Sequence, residues 1–194
     1  MKQVLLVALA ALVMATVAGC TSTNQVTSQK TPFEMLQEKA SVITDAGGLA
    51  AVGIGTFRTM SLAMDKAKTR GRTELAHILE TKVDSLKKDF TEEIGEGESA
   101  EYNALFSAAS KSIARQILRG TEPNDIKYET TGNMTTAWAL MVQDPKVITD
   151  AFEDQKNSSK ALYTRFRASQ AFAELDNEVK KFEEFKAKDS GLLQ

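Results

Sequence analysis

A chain with a single cysteine, Cys20, cannot close a disulfide on itself, so its domain must be held by packing alone. The single histidine, His77, has no second cysteine or histidine with which to share a metal, and neither a metal nor a cofactor is expected. The chain contains no G-x-x-x-x-G-K-[ST] loop, no H-E-x-x-H helix and no serine elbow with histidine and acid partners. Its adjacent carboxylates, Glu92-Glu93 and Glu183-Glu184, fall on faces expected to be solvated, so an enzyme is not expected. A basic excess is missing as well. Lysine and arginine number 24 against 26 aspartates and glutamates, with no basic stripe, which excludes a nucleic-acid partner from the expectations. Three prolines, 7% aromatics and no low-complexity tract leave an ordinary ordered domain.

What is present begins at the N-terminus. Lys2 precedes an apolar run, Val4 to Ala18, that is shorter than the roughly 18–20 residues of a membrane-spanning helix. Small residues then lead into the cysteine. Val17, Ala18, Gly19 and Cys20 resemble the lipobox of bacterial lipoproteins. By that resemblance residues 1–19 are a signal peptide and Cys20 becomes the first residue of the mature chain. Its thiol carries a diacylglyceryl group and its freed amine a further acyl chain such as palmitate. Several acyl chains hold a protein firmly, at about 0.8 kcal/mol per buried methylene, where one gives only reversible binding. Thr21, not aspartate, follows the cysteine, which resembles the outer-membrane sorting pattern; the expected location is the outer membrane, on its periplasmic face with surface exposure left open. Without residues 1–19 the chain keeps 23 basic and 26 acidic residues, because only Lys2 is lost.

Residues 20–31 read as the lipidated cysteine and a polar, aperiodic tether. Thr31-Pro32-Phe33-Glu34 predicts a capped helix start, with Phe33, Leu36, Ala40 and Ile43 at helical spacing and Gly47-Gly48 as its stop. Leu49 to Gly55 predicts a strand, since glycines as close as Gly53 and Gly55 would each cost a helix about 1 kcal/mol. Gly53-Ile54-Gly55 begins a dinucleotide fingerprint, but Arg58 stands at the third glycine and no ribose-binding acid follows. The glycines read instead as room for a helix to pack closely. Ser61 to Ile94 predicts the longest helix, with Ala63, Ala67 and Gly71 on its stripe before Leu75, Leu79, Val83, Leu86 and Phe90. His77 lies beside that stripe. Lys66, Lys68, Arg70 and Arg72 form a local basic cluster, either a solvated face or a contact for anionic lipid or glycan. Ser99 caps a further helix with Tyr102, Leu105, Phe106, Ala109, Ile113 and Ile117 inward, closed by Gly120.

After Pro123 the period falls to two. Ile126, Tyr128 and Thr130, the turn Thr131-Gly132-Asn133, and Met134 to Val142 predict a hairpin. Ala137 to Val142 is apolar on both faces, so the long helix covers one side and the C-terminal segment or another subunit the other. Trp138 reads as core, with an aromatic ligand platform as the alternative. Residues 32–145 thus form an α+β domain with a small antiparallel sheet in β-α-α-β-β order, and residues 146–194 a C-terminal helical extension. In that extension Asp144 caps, Val147, Ile148, Ala151 and Phe152 face inward, and Asn157-Ser158-Ser159 breaks the helix. Phe172, Leu175, Val179 and Phe182 then form a narrow seam that folds back or pairs with a partner.

The lipobox, the tether, the strand Ala51-Val52-Gly53-Ile54-Gly55 and the helix reading Ala63-x-x-x-Ala67-x-x-x-Gly71-Arg72-x-Glu74-Leu75-Ala76 together resemble the LPP-twenty lipoprotein family over about residues 49–142. Gly71 departs from the alanine of that pattern. The resemblance implies a dodecin-like β-α-β-β domain that packs into oligomers. It also implies a role in envelope structure, including flagellar assembly, without catalysis. The expectation is a membrane-anchored homo-oligomer or a holder of an envelope protein partner. The alternative is a lipid-anchored module binding a small apolar ligand beside Trp138 and the glycine strand.

Overall fold

The computed structural model describes residues 30–95 and 99–188. Val17, Ala18, Gly19, Cys20 and the tether before Lys30 lie outside the described residues. The fold is α+β: α1 (Pro32–Asp45), β1 (Leu49–Phe57), α2 (Met60–Ile94), α3 (Ala100–Gly120), β2 (Pro123–Thr131), β3 (Met134–Gln143), α4 (Lys146–Asp154), α5 (Lys160–Arg167) and α6 (Gln170–Lys188).

The first helix starts where its capping box sits. The Thr31 hydroxyl accepts the Glu34 N–H at 3.2 Å, and the Glu34 carboxylate accepts the Thr31 N–H at 2.8 Å. These bonds hold the Glu34 carboxyl below its usual range, the backbone bond from Thr31 most of all. Gly47, at φ +90°, turns the chain, and the Gly48 N–H closes on the Ile43 carbonyl at 2.9 Å.

β1 then pairs antiparallel with β3, and β3 with β2, giving the order β1-β3-β2. Central β3 is covered on both sides. Ala137, Ala139 and Met141 face α2, while Leu140 and Trp138 face α1 and the Phe182 ring of α6. The second cover is therefore supplied within the same chain, by α1 together with α6. The two strand edges differ. Outer β2 carries Pro123, a bulge between Pro123 and Asp125, and the charges of Asp125, Lys127 and Glu129.

The small-residue stripe of α2 meets the glycine strand as expected. A Cβ on Gly53 would lie 2.1 Å from the Ala67 carbonyl oxygen, and one on Gly55 2.2 Å from that of Ala63. Gly71 has its own reason in this chain: a Cβ there would lie 2.6 Å from Met141 Cγ. At about 1.5 Å per residue α2 outruns the sheet. Its far half packs Leu79, Val83, Leu86 and Phe90 against Tyr102, Leu105, Phe106 and Ile113 of α3. Ser99 caps α3 by accepting the Tyr102 N–H at 3.3 Å.

The C-terminal extension shares this core. Asp144 Oδ1 accepts the Lys146 N–H at 2.8 Å, opening α4. The break after Gln155 is followed by α5, whose Leu162 and Phe166 are buried although the sequence pattern assigns them no role. Phe166 sits at the centre of an aromatic group, 4.6 Å from Phe152, 5.1 Å from Phe106 and 5.4 Å from both Phe90 and Phe172 between ring centroids. Between the two possibilities left open for α6, folding back is what is found. Lys82 of α2 reaches Glu178 at 2.6 Å, Lys181 donates to the Asp45 carbonyl at 2.6 Å, and Phe182 lies against Gly48.

Candidate functional site

Five of the eight motif residues meet in one place, the contact of α2 with β1. Gly53, Gly55, Ala63, Ala67 and Leu75 meet there, while Val52 and Ile54 point to the α1 side of the sheet. Arg72 works at a distance from them. Its Nε donates to the Thr121 carbonyl at 2.8 Å and its Nη2 lies 3.7 Å from Glu122, tying α2 to the end of α3. These residues build the fold. On the α2 face the glycine strand leaves no room for a ligand, because the α2 backbone fills that space; the expected cleft beside the strand lies instead along its open edge, without Trp138 in its lining.

The basic cluster of the sequence is divided by the helix. Arg70 donates to the Ile54 carbonyl at 2.9 Å, on the open edge of β1, while Arg72 turns to the opposite flank. His77 is exposed and stands 3.7 Å from Glu80. Among the described residues no three histidine, cysteine or acidic side chains are placed to hold a metal, and no helix is long and apolar enough to cross a membrane. Among the described residues Asp125 is a half-buried carboxylate with a displaced titration. Burial raises its pKa, but the Lys39 ammonium at 2.5 Å and Lys127 outweigh burial and hold it below the usual range.

Several concavities open among the described residues, and two of them bear on ligand binding. One is an apolar crevice of about 330 Å³ between α2 and α3, floored by Ala76, Leu79, Ile113 and Ala114, with Leu118 exposed at its mouth. It exists because Ala76 and Ala114 stand beside the buried stripes and leave space where longer side chains would meet. Its walls suit an alkyl or aromatic group, with His77 and Lys111 at the rim. The other, about 590 Å³, follows the open edge of β1 between Phe33 and Gln37 of α1 and Arg70 and Glu74 of α2.

Fold and site together define a small α+β protein whose distinctive residues are architectural. No family model matches the chain, and no curated protein or solved structure matches it either.

Proposed function

We propose that this is a non-enzymatic lipoprotein of the outer membrane, held by acylated Cys20 and acting as a structural or assembly component of the envelope. The observation that carries this reading is Val17-Ala18-Gly19-Cys20 at the end of a short apolar run. The domain that follows has a strand, two helices and a hairpin, one helix more between the strands than the β-α-β-β order of the resemblance. Both sheet faces are covered within one chain, so association falls to helix surfaces such as the crevice marked by Leu118. Labelled palmitate is expected to enter the wild-type chain and to be lost, with membrane sedimentation, in Cys20→Ser. Unchanged labelling and sedimentation would reject the anchor. For the assembly role, a chain that sediments as a clean monomer and crosslinks to no envelope protein would reject it.

A further inference from the structure

Four of the eight large apolar side chains exposed among the described residues are Phe57, Met60, Leu62 and Met134, each 38–48% accessible. The topology brings all four to one end of the domain. Phe57 pairs with Thr135, the neighbour of Met134. The backbone of α2 meets Gly55 near Ala63 and Gly53 near Gly71, so Met60 and Leu62 in its first turn lie toward Phe57. The first helix also points its start this way, since Phe33 stands level with Val52 and Ile54 while Thr44 and Asp45 stand beside Leu49. The chain leading to Cys20 therefore joins the domain at its apolar end. About ten residues separate Cys20 from Lys30, a reach of at most about 35 Å.

Charge distinguishes this end as well. From Phe57 to Arg70 there are four cations, Arg58, Lys66, Lys68 and Arg70, and one acid, Asp65. Glu34 in the first turn of α1 and Glu129 of β2 add two acids at this end and leave it net positive. Arg70 is exposed and donates to the uncharged Ile54 carbonyl. Apolar side chains set among cations suit an interface whose headgroups are anionic. A second copy of the same patch would set like charges against each other.

We propose that this end of the domain rests on the bilayer surface, with Phe57, Met60 and Leu62 in the headgroup region and Arg58, Lys66 and Arg70 on anionic headgroups. The proposal rests on the lipid-anchor reading and adds an orientation to it. The test uses the full acylated chain carrying Trp138→Phe, with Phe57→Trp as probe and Lys88→Trp, on the exposed far half of α2, as control. Each is reconstituted in phosphatidylethanolamine–phosphatidylglycerol vesicles with brominated acyl chains. Quenching of the indole at position 57 is expected to exceed the control at least about twofold, and to fall by about half when phosphatidylcholine replaces phosphatidylglycerol. Equal quenching at the two positions would overturn the proposal. So would shielding of the position-57 indole in lipid-free detergent that grows with protein concentration, which would assign the patch to a second copy. Mass spectrometry of Cys20 in the same sample separates the two readings: an acylated chain without quenching at position 57 defeats the orientation alone, and an unacylated chain defeats the anchor and the orientation with it.

Discussion

Gly53 shows how much one missing methyl group decides. The nearest atoms to its absent Cβ are backbone, the Ala67 carbonyl oxygen at 2.1 Å and the Gly71 nitrogen at 2.2 Å, so no rotamer change relieves an added carbon. Gly53→Ala must lift α2 off β1 and is expected to cost about 3 kcal/mol or more, read as a fall in the urea midpoint. A midpoint within experimental error of wild type would contradict the close contact. Asp125 makes a second prediction, about pH. Its pKa is lowered in the folded chain, so the stability it contributes is present above the unfolded carboxylate pKa near 3.9 and is lost as pH falls through the folded value. Asp125→Asn should therefore be less stable than wild type near neutral pH, with the difference closing in acid. A difference that stays constant down to about pH 2 would count against the Lys39 and Lys127 pairing. At this scale the sequence was informative about glycine and silent about Asp125, because Lys39 is 86 positions away and only the fold brings it near.

Among the elements, legibility followed the strength of the local signal. The start of α1 has a capping box, the start of α3 has Ser99, and the hairpin has a change of period, and all three were readable in the chain. β1 runs two residues further than its glycines suggest, and the Thr56 hydroxyl meets that of Thr136 at 3.1 Å across the pair. Helix α5 was not readable. It spans eight residues, too short for a repeated stripe, and its Leu162 and Phe166 gain their meaning from Phe90, Phe106 and Phe152 on three other helices. Phe166→Ala is expected to cost about 3–5 kcal/mol by urea unfolding, because the ring is fully buried among aromatic neighbours that cannot close the space. A loss under about 1 kcal/mol would mean that α5 is not packed as described. The crevice between α2 and α3 was invisible for the opposite reason: it is made by what Ala76 and Ala114 lack.

For the whole molecule, helices on both sides of residue 145, the boundary read between the domain at 32–145 and the extension at 146–194, share a core among the described residues. One continuous core runs from Leu49 and Ala51 through the α2–α3 pair to Phe152, Phe166, Phe172 and Leu175. Thermal unfolding is therefore expected as one transition, with calorimetric and van't Hoff enthalpies in agreement. Two resolved transitions would show the C-terminal helices to be a separate unit.

The close seat of α2 bears on molecules packed side by side. The helix stands almost directly over β1, which is the outermost strand on its side. If two copies were to zip their β1 edges together antiparallel, the strands would sit about 4.8 Å apart and both helices would crowd the same face at that spacing. Helix axes need about 8–10 Å, so the two would collide before the strands could join. However densely such molecules are packed, the overhanging helix acts as a bumper that stops neighbouring sheets from growing into a continuous ribbon.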